Sequence, residues 1–197
     1  MSENLEIEYK TMLSERDFIR ITDYFQLKEE DFFLQVNTYF DTSAFHLKQM
    51  NIGLRIRTLP DAAEITLKVP AKDGLLEITD PITPEQAEEI IHSRIFPKNS
   101  EVSQKLQDLT INTPLHVIGQ LKTKRAQKKL PQGLLALDES WYNQNHDYEL
   151  ELEVADAFIG KKAFYNLLNT LNIKEISGLN KIQRMLLSSP SYSSDTD

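Results

Sequence analysis

Hydrophobic and polar residues alternate along several short segments of the chain, and this pattern predicts β-strands. The first predicted strand is Leu5-Glu6-Ile7-Glu8-Tyr9-Lys10, in which every second residue is charged. The same reasoning predicts strands over residues 33–41, 54–58, 63–69, 74–79, 116–127, 133–142 and 146–154. Turn-forming pairs such as Pro60-Asp61 and Gln132-Gly133 separate neighbouring strands.

Helices are predicted where apolar residues recur three or four positions apart behind a polar cap. One helix follows Ser14, and Thr83-Pro84-Glu85 begins another with proline at its first position. Three more are expected at residues 100–109, 157–171 and 181–187. One domain over residues 1–187 is therefore expected, followed by a disordered, serine-rich tail over 188–197.

The charged residues of the predicted strands fall on single faces, because side chains alternate sides along a strand. Glu6, Glu8 and Lys10 share one face of the first strand. Other strands also carry charged residues on one face; these are Arg55 with Arg57, Lys68 with Glu64, and Glu149 with Glu151 and Glu153. Acids are concentrated on the first and last strands, whereas Arg55, Arg57 and Lys68 lie on the middle ones. An ordinary sheet with one wet face explains any single strand, but rows of like charge repel.

A closed sheet explains the whole set of strands better. The predicted fold is α+β, with an eight-stranded, mostly antiparallel closed β-tunnel and helices packed outside. In such a fold the charges line the interior, where acids can hold cations and bases can hold a polyanion.

Composition limits the chemistry. The chain has no cysteine, and its four histidines have no metal-like spacing, so hard cations held by oxygen, Mg²⁺ or Mn²⁺, are the expected metals. A net charge of −8 argues against nucleic acid as a partner. No signal peptide or membrane-spanning run is evident, so a cytoplasmic protein without membrane contact is expected, as a monomer or homodimer.

In family order, the chain contains a series of motifs that resembles the CYTH superfamily, also called triphosphate tunnel metalloenzymes. The motifs are Glu6-Ile7-Glu8-Tyr9-Lys10, Tyr39-Phe40-Asp41-Thr42, Leu54-Arg55-Ile56-Arg57, Thr66-Leu67-Lys68, Asp138, Glu149-Leu150-Glu151-Leu152-Glu153 and Lys181-Ile182-Gln183-Arg184. The resemblance covers nearly the whole chain and is strongest to small bacterial members labelled as adenylate cyclases.

The resemblance implies a triphosphate-bearing substrate and the roles of individual residues. The implied metal ligands are Glu6, Glu8, Asp138, Glu149, Glu151 and Glu153. The implied phosphate-binding residues are Lys10, Arg55, Arg57, Lys68, Arg125 and Lys181. Lys10, Glu6 and Glu8 are the expected catalytic residues.

One strand departs from the family pattern. The family carries a Lys-x-Arg pair before Asp138, whereas this chain reads Lys122-Thr123-Lys124-Arg125. Alternation puts Arg125 on the opposite face from Lys122 and Lys124. We expect Arg125 to face inward, with Lys122 or Lys124 as the alternatives.

Three functions remain open from the sequence. The first is a metal-dependent triphosphatase that prefers inorganic triphosphate and releases orthophosphate and diphosphate. The second uses the same site to cyclise ATP to cAMP and pyrophosphate. The third is a polyphosphate- or nucleotide-binding module without catalysis. No nucleobase pocket is evident in the sequence, which favours the first.

Overall fold

The computed structural model describes residues 2–189, and eight strands and six helices lie within that range. The strands are β1 (Ser2–Leu13), β2 (Phe32–Thr42), β3 (Gly53–Thr58), β4 (Ala63–Ala71), β5 (Gly74–Ile82), β6 (Leu115–Leu130), β7 (Gly133–Tyr142) and β8 (Asn145–Val154). The helices are α1 (Glu15–Phe25), α2 (His46–Gln49), α3 (Pro84–Ser93), α4 (Glu101–Asp108), α5 (Ala157–Thr170) and α6 (Lys181–Leu187).

The strands form a closed antiparallel barrel in the order β1-β5-β4-β3-β2-β6-β7-β8. The predicted fold class is therefore confirmed. Each predicted strand and helix is present, and β1 is longer than expected at both ends. Ser188 and Ser189 follow α6, and residues 190–197 of the predicted tail lie outside the described residues.

Two short elements were not predicted, because neither is long enough to show a hydrophobic period. A 3-10 turn spans Glu29–Asp31, and α2 has only four residues. Helix α2 is held by the buried carboxylate of Asp41, which accepts hydrogen bonds from the backbone N–H groups of Leu47 and Lys48, both at 2.9 Å. Asp41 is therefore a structural capping residue.

Contacts divide the described chain into two compact units. Unit 1 comprises residues 2–5 and 35–121. One face of its strands β3, β4 and β5 carries the apolar side chains Leu54, Ile56, Ile65, Leu67 and Ile78. Helices α3 and α4 cover this face with Ala87, Ile90, Val102 and Leu106. The opposite face of the same strands carries the polar residues.

Unit 2 comprises residues 6–34 and 122–189. Its core joins the apolar faces of β1, β7 and β8 to helices α1 and α5. The main contributors are Ile7, Ile21, Leu135, Leu137, Leu150, Leu152, Phe164 and Leu168. As in unit 1, helices cover one face of the sheet, so the charged side chains of these strands lie on the other face.

Within residues 2–189, no helix is both long enough and apolar enough to cross a membrane.

The packing of α5 on β8 depends on a glycine. A Cβ atom at Gly160 would lie 2.3 Å from Cγ2 of Val154, whereas one at Gly53 in β3 would meet nothing within 4 Å. We expect Gly160→Ala to lower the free energy of unfolding by about 1–3 kcal/mol, because overpacking outweighs the gain in helix propensity. Urea unfolding of Gly160→Ala beside the control Gly53→Ala measures this. Equal stability of the two variants would contradict the proposed close packing.

Candidate functional site

The charged residues of unit 2 share one sheet face because of the strand register. Glu151 of β8 lies directly opposite Lys10 of β1. Asp138 of β7 lies between Glu149 of β8 and Arg125 of β6. Directly opposed residues in antiparallel strands project to the same side, so one face receives acids and bases from four strands.

Three carboxylates meet on this face, and we call Asp138, Glu149 and Glu151 the carboxylate cluster. One oxygen from each lies within 4.8 Å of the others. The side chain of Asp138 is 0% exposed, that of Glu149 is 1% exposed and that of Glu151 is 12% exposed. Burying three negative charges this close together requires neutralisation by nearby cations.

Arg125 supplies one of these cations. Its Nε donates to Oδ1 of Asp138 at 2.7 Å, and its Nη2 donates to Oδ2 at 2.6 Å. The same Nη2 also donates to Oε2 of Glu151 at 2.6 Å. This forked geometry, with two N–H groups on one carboxylate, is the arrangement that arginine favours for oxyanions.

Lys181 supplies the second cation and contacts every member of the carboxylate cluster. Its Nζ lies 2.8 Å from Oδ2 of Asp138 and 2.5 Å from Oε1 of Glu151, and it also contacts Oε2 of Glu149. Lys181 is the first residue of α6, whose start is fixed by a capping box between Asn180 and Gln183. The helix start thus delivers the ammonium group to the cluster.

A second layer of contacts surrounds Glu149. Arg184, one turn after Lys181 on α6, lies 3.2 Å from Oε2 of Glu149 and 2.9 Å from Oδ2 of Asp147. The Tyr142 hydroxyl donates to Asp147 at 2.5 Å. Burial, followed by this hydrogen bond to a carboxylate, raises the pKa of Tyr142 to about 12.

Lys10 and Glu8 form a further pair on the same face. The Lys10 Nζ lies 2.6 Å from Oε1 of Glu8, and both side chains are partly exposed. Burial opposes protonation of Lys10, but Glu8, Glu149 and Glu151 raise its pKa above the usual value. Lys10 is therefore a cation at neutral pH. It contacts fewer carboxylates than Lys181, which leaves its ammonium group better able to meet a ligand.

The strand register also places the remaining predicted acids, Glu6 and Glu153, on the charged sheet face. Glu153 is directly opposite Glu8 in the β1–β8 pair, and Glu6 shares the face of Glu8 by alternation. Both are partly exposed. The structure thus brings Asp138, Glu149 and Glu151 into one cluster, whereas Glu6, Glu8 and Glu153 lie outside that cluster of three.

The charge states of the cluster follow from its neighbours. Burial opposes ionisation of Asp138, but the positive charges of Arg125 and Lys181 hold its pKa below its usual value. The same balance, with Lys181, Arg125 and Lys10 as the cations, holds the pKa of Glu151 well below its usual range. Burial lowers the pKa of Lys181, but the three carboxylates raise it by more, so this pKa lies above its usual value.

The carboxylate cluster fits a hard divalent cation in its donor chemistry. It offers only oxygen atoms, with no sulfur or imidazole, and the spacing of the three oxygens suits binding to one ion. Lys181 uses the same oxygens. A metal ion at this position would therefore share or replace the contacts of the lysine.

The basic residues predicted in unit 1 also share a sheet face, which we call the basic face and define as Arg55, Arg57 and Lys68. Arg57 lies 3.3 Å from Oε1 of Glu64, and Lys68 lies 3.0 Å from Oε2 of Glu77. Burial raises the pKa of Glu77, but the positive charges of Lys68, Arg55 and Arg57 lower it by more, so the net shift of this pKa is downward.

The register of β6 with β7 shows which side chains of the segment Lys122-Thr123-Lys124-Arg125, which departs from the family pattern, lie on the charged face. Arg125 is opposite Asp138 and lies on the charged face, in agreement with the favoured expectation. Lys124 lies on the other side, where its Nζ lies 2.6 Å from Oε1 of the exposed Glu29. Lys122 shares that side by alternation and is exposed.

From the sequence alone, no role was assigned to three members of these networks. Arg184 stands in the family motif with Lys181, and its position three residues later on a predicted helix places it on a similar face. Asp147 and Glu77 gave no comparable signal. Their importance depends on which residues lie opposite them or approach them from α6.

The chain is a closed eight-stranded antiparallel β-barrel whose buried carboxylates are paired with cationic side chains. Residues 4–186 match the CYTH domain, and the chain belongs to this family. "Putative triphosphatase YjbK" of Bacillus subtilis (strain 168) is 41% identical over 186 residues, which is 93% of this chain and 95% of the relative.

Two solved structures are similar over nearly their whole length. A "putative adenylate cyclase" from Bacillus halodurans is 38% identical with a TM-score of 0.89, covering 93% of this chain and 98% of that one. "Putative adenylyl cyclase HpAC1" from Hippeastrum, described as having a dominant triphosphatase activity, is 25% identical with a TM-score of 0.77. This alignment covers 92% of this chain and 95% of that one.

Removing the ammonium group of Lys181 tests the charge balance. We expect Lys181→Met to lower the free energy of unfolding at neutral pH by about 3–5 kcal/mol, because it leaves buried carboxylates uncompensated. Folding lowers the pKa values of Asp138 and Glu151, so their ionised carboxylates stabilise the fold at any pH above the pKa values of the unfolded chain. This stabilisation is lost as the pH falls through the pKa values of the folded protein.

Without Lys181 the folded pKa values of Asp138 and Glu151 rise, so the unfolded chain gains less advantage from binding protons. The stability of the variant should therefore fall less on acidification than that of the wild type, and the difference between the two should shrink as the pH is lowered. Urea unfolding from pH 8 to pH 4 measures this, with Lys161→Met on the exposed side of α5 as the control. A Lys181→Met variant with the control's stability and pH profile would contradict the charge balance.

Proposed function

We propose that this protein is a divalent-metal-dependent triphosphatase that prefers inorganic triphosphate and releases orthophosphate and diphosphate. The proposal is supported mainly by the buried carboxylate cluster with Arg125 and Lys181, in which oxygen donors suited to a cation and cationic groups suited to phosphate share one sheet face. Membership of the CYTH family, the triphosphatase name of the Bacillus subtilis relative and the triphosphatase activity described for the Hippeastrum protein support this type of activity.

The arrangement suits phosphoryl transfer because that reaction depends mainly on positioning and charge neutralisation. Lys10 is the proposed catalytic cation, which stabilises negative charge as the bond between the terminal phosphoryl group and the leaving diphosphate breaks. The contact of Glu8 with the Lys10 ammonium group, at 2.6 Å, orients that charge. The attacking nucleophile is water, and its proton passes to solvent or to a neighbouring carboxylate.

The proposed metal ligands are Glu6, Glu8, Asp138, Glu149, Glu151 and Glu153, of which the carboxylate cluster offers the most compact donor set. A bound Mg²⁺ or Mn²⁺ ion would supply charge neutralisation at the phosphate oxygens and polarise the reacting groups. Lys181 holds the same carboxylates together when they bind no other cation.

The proposed phosphate-binding residues are Lys10, Arg125 and Lys181 in unit 2 and Arg55, Arg57 and Lys68 in unit 1. The role of Arg125 and Lys181 is supported by their contacts with oxyanions of the cluster, since both already bind carboxylate oxygens in this geometry. The role of the basic face rests on the family motifs in β3 and β4.

A substrate panel with product identification tests the proposed function. The purified protein is incubated with inorganic triphosphate, ATP, GTP and diphosphate, each with Mg²⁺, Mn²⁺ or a chelator. We expect metal-dependent release of orthophosphate and diphosphate, fastest from inorganic triphosphate. Formation of cAMP from ATP would instead identify a cyclase, and tight binding without any product would identify a binding module; either result would overturn the proposal.

Two lysines on opposite faces of the unit 2 sheet offer a matched comparison. We expect Lys10→Ala to lower kcat for inorganic triphosphate about 100-fold, because a charge aimed at the leaving group is lost. Lys124→Ala should change kcat less than about twofold, since Lys124 pairs with the exposed Glu29 on the other face. Steady-state kinetics at saturating metal would contradict the assignment of Lys10 if both variants kept wild-type rates.

A further inference from the structure

Thr66 of β4 lies on the basic face, although it stands between two core residues. Ile65 and Leu67 are fully buried in the apolar core of unit 1, so alternation directs Thr66 to the opposite side of the strand. Register places it directly opposite Arg55 of β3 and Thr79 of β5. Its hydroxyl therefore lies among the cationic side chains of the basic face.

The hydroxyl of Thr66 is buried without a partner. The residue is 0% exposed, and its Oγ1 has no hydrogen-bond partner among the described residues. The buried Nε of Arg55, on the neighbouring strand, likewise has none within residues 2–189. Burying polar groups without hydrogen bonds costs free energy, so such groups in a stable protein need an explanation.

Threonine hydroxyls on other strands do have partners. The Thr79 hydroxyl, across the strand from Thr66, donates to Oε1 of Glu77 at 3.4 Å. The buried Thr123 in β6 shares a hydrogen bond with Ser140 at 3.1 Å. A packing role alone does not account for Thr66, because valine has the same shape and would bury no unsatisfied oxygen.

The two unpaired groups can both act as hydrogen-bond donors, so a single acceptor atom of a ligand can satisfy both. An Arg Nε is only a donor, and a threonine hydroxyl can donate as well. On this face three cations, Arg55, Arg57 and Lys68, outnumber two carboxylates, Glu64 and Glu77. An anionic oxygen is the acceptor that satisfies both donors and gains from this charge.

We propose that the Thr66 hydroxyl and the Arg55 Nε together bind one oxygen of the phosphate chain, which makes Thr66 a substrate-binding residue. This inference rests on the proposed function, because it takes inorganic triphosphate as the ligand. In the absence of the ligand the unpaired hydroxyl lowers stability. Thr66 therefore contributes to binding at the expense of stability, and these two effects can be measured separately.

The decisive variant is Thr66→Val, which removes the hydroxyl and keeps the shape. We expect its unfolding temperature without ligand to equal or exceed that of the wild type, because no protein hydrogen bond is lost. Inorganic triphosphate, titrated by calorimetry without metal, should bind about tenfold more weakly, equivalent to about 1.4 kcal/mol. Thr66→Ser, which restores the hydroxyl, should recover most of the affinity.

Thr123→Val is the matched control for stability, since Thr123 is equally buried and its hydroxyl has a partner. Its unfolding temperature should fall, because Ser140 loses its hydrogen bond. A comparable fall in Thr66→Val would show that the Thr66 hydroxyl has a structural role, such as holding a bridging water, and would overturn the inference. Unchanged triphosphate affinity in Thr66→Val would overturn it as well.

The same measurements separate this inference from the proposed function. Wild-type protein that binds inorganic triphosphate without turnover, together with weakened binding in Thr66→Val, would support the inference and refute the triphosphatase. Wild-type turnover with an unchanged KM and affinity in Thr66→Val would refute the inference alone. A wild-type protein that binds no triphosphate would refute both.

Discussion

The constraint that governs unit 2 is electrostatic, because three carboxylates cannot be buried together without cations. One oxygen each from Asp138, Glu149 and Glu151 lies within 4.8 Å of the others, and the side chains of Asp138 and Glu149 are almost entirely shielded from water. Arg125 and Lys181 offset their mutual repulsion through short contacts with oxygens of all three carboxylates. The position of β6 and of α6 is thus tied to the same charges that form the candidate site.

A network of this kind is suited to exchanging partners. Cations that hold carboxylate oxygens can also hold phosphate oxygens, which have similar size and charge, and carboxylates that hold an ammonium group can hold a divalent ion. A metal–triphosphate complex contains both positive and negative charge. When it binds, the positive and negative charges of the site can therefore stay in balance while individual contacts change. We therefore regard the same interactions as the basis of stability and of ligand binding.

The sequence predicted the strands and their charged faces well, since alternation along a strand is a local property. It could not decide between Arg125 and the lysines of β6, because that choice depends on the register of β6 with β7. The family motif named Lys181, but only the folded chain brings the start of α6 to the carboxylate cluster. Thr66 illustrates the same limit, since its burial and its unpaired hydroxyl are tertiary properties.

Short elements were the other limit of the sequence. The four-residue α2 exists because the Asp41 carboxylate caps it from the end of β2, and no periodicity could reveal it. Glu77 was passed over because its strand does not alternate clearly, although it pairs with Lys68 across the β4–β5 register. In each case a long-range partner decides the role of a residue whose local sequence is unremarkable.

We infer that the carboxylate cluster and its cations bind a metal-bound phosphate chain. A crystal structure of the protein with Mn²⁺ and inorganic triphosphate, using the anomalous signal of manganese, tests it most directly. We expect a manganese peak within coordination distance of the Glu149 or Glu151 carboxylate, with phosphate oxygens contacting Lys10 or Arg125. Manganese and triphosphate bound elsewhere, with Lys181 and Arg125 still holding all three carboxylates, would contradict it.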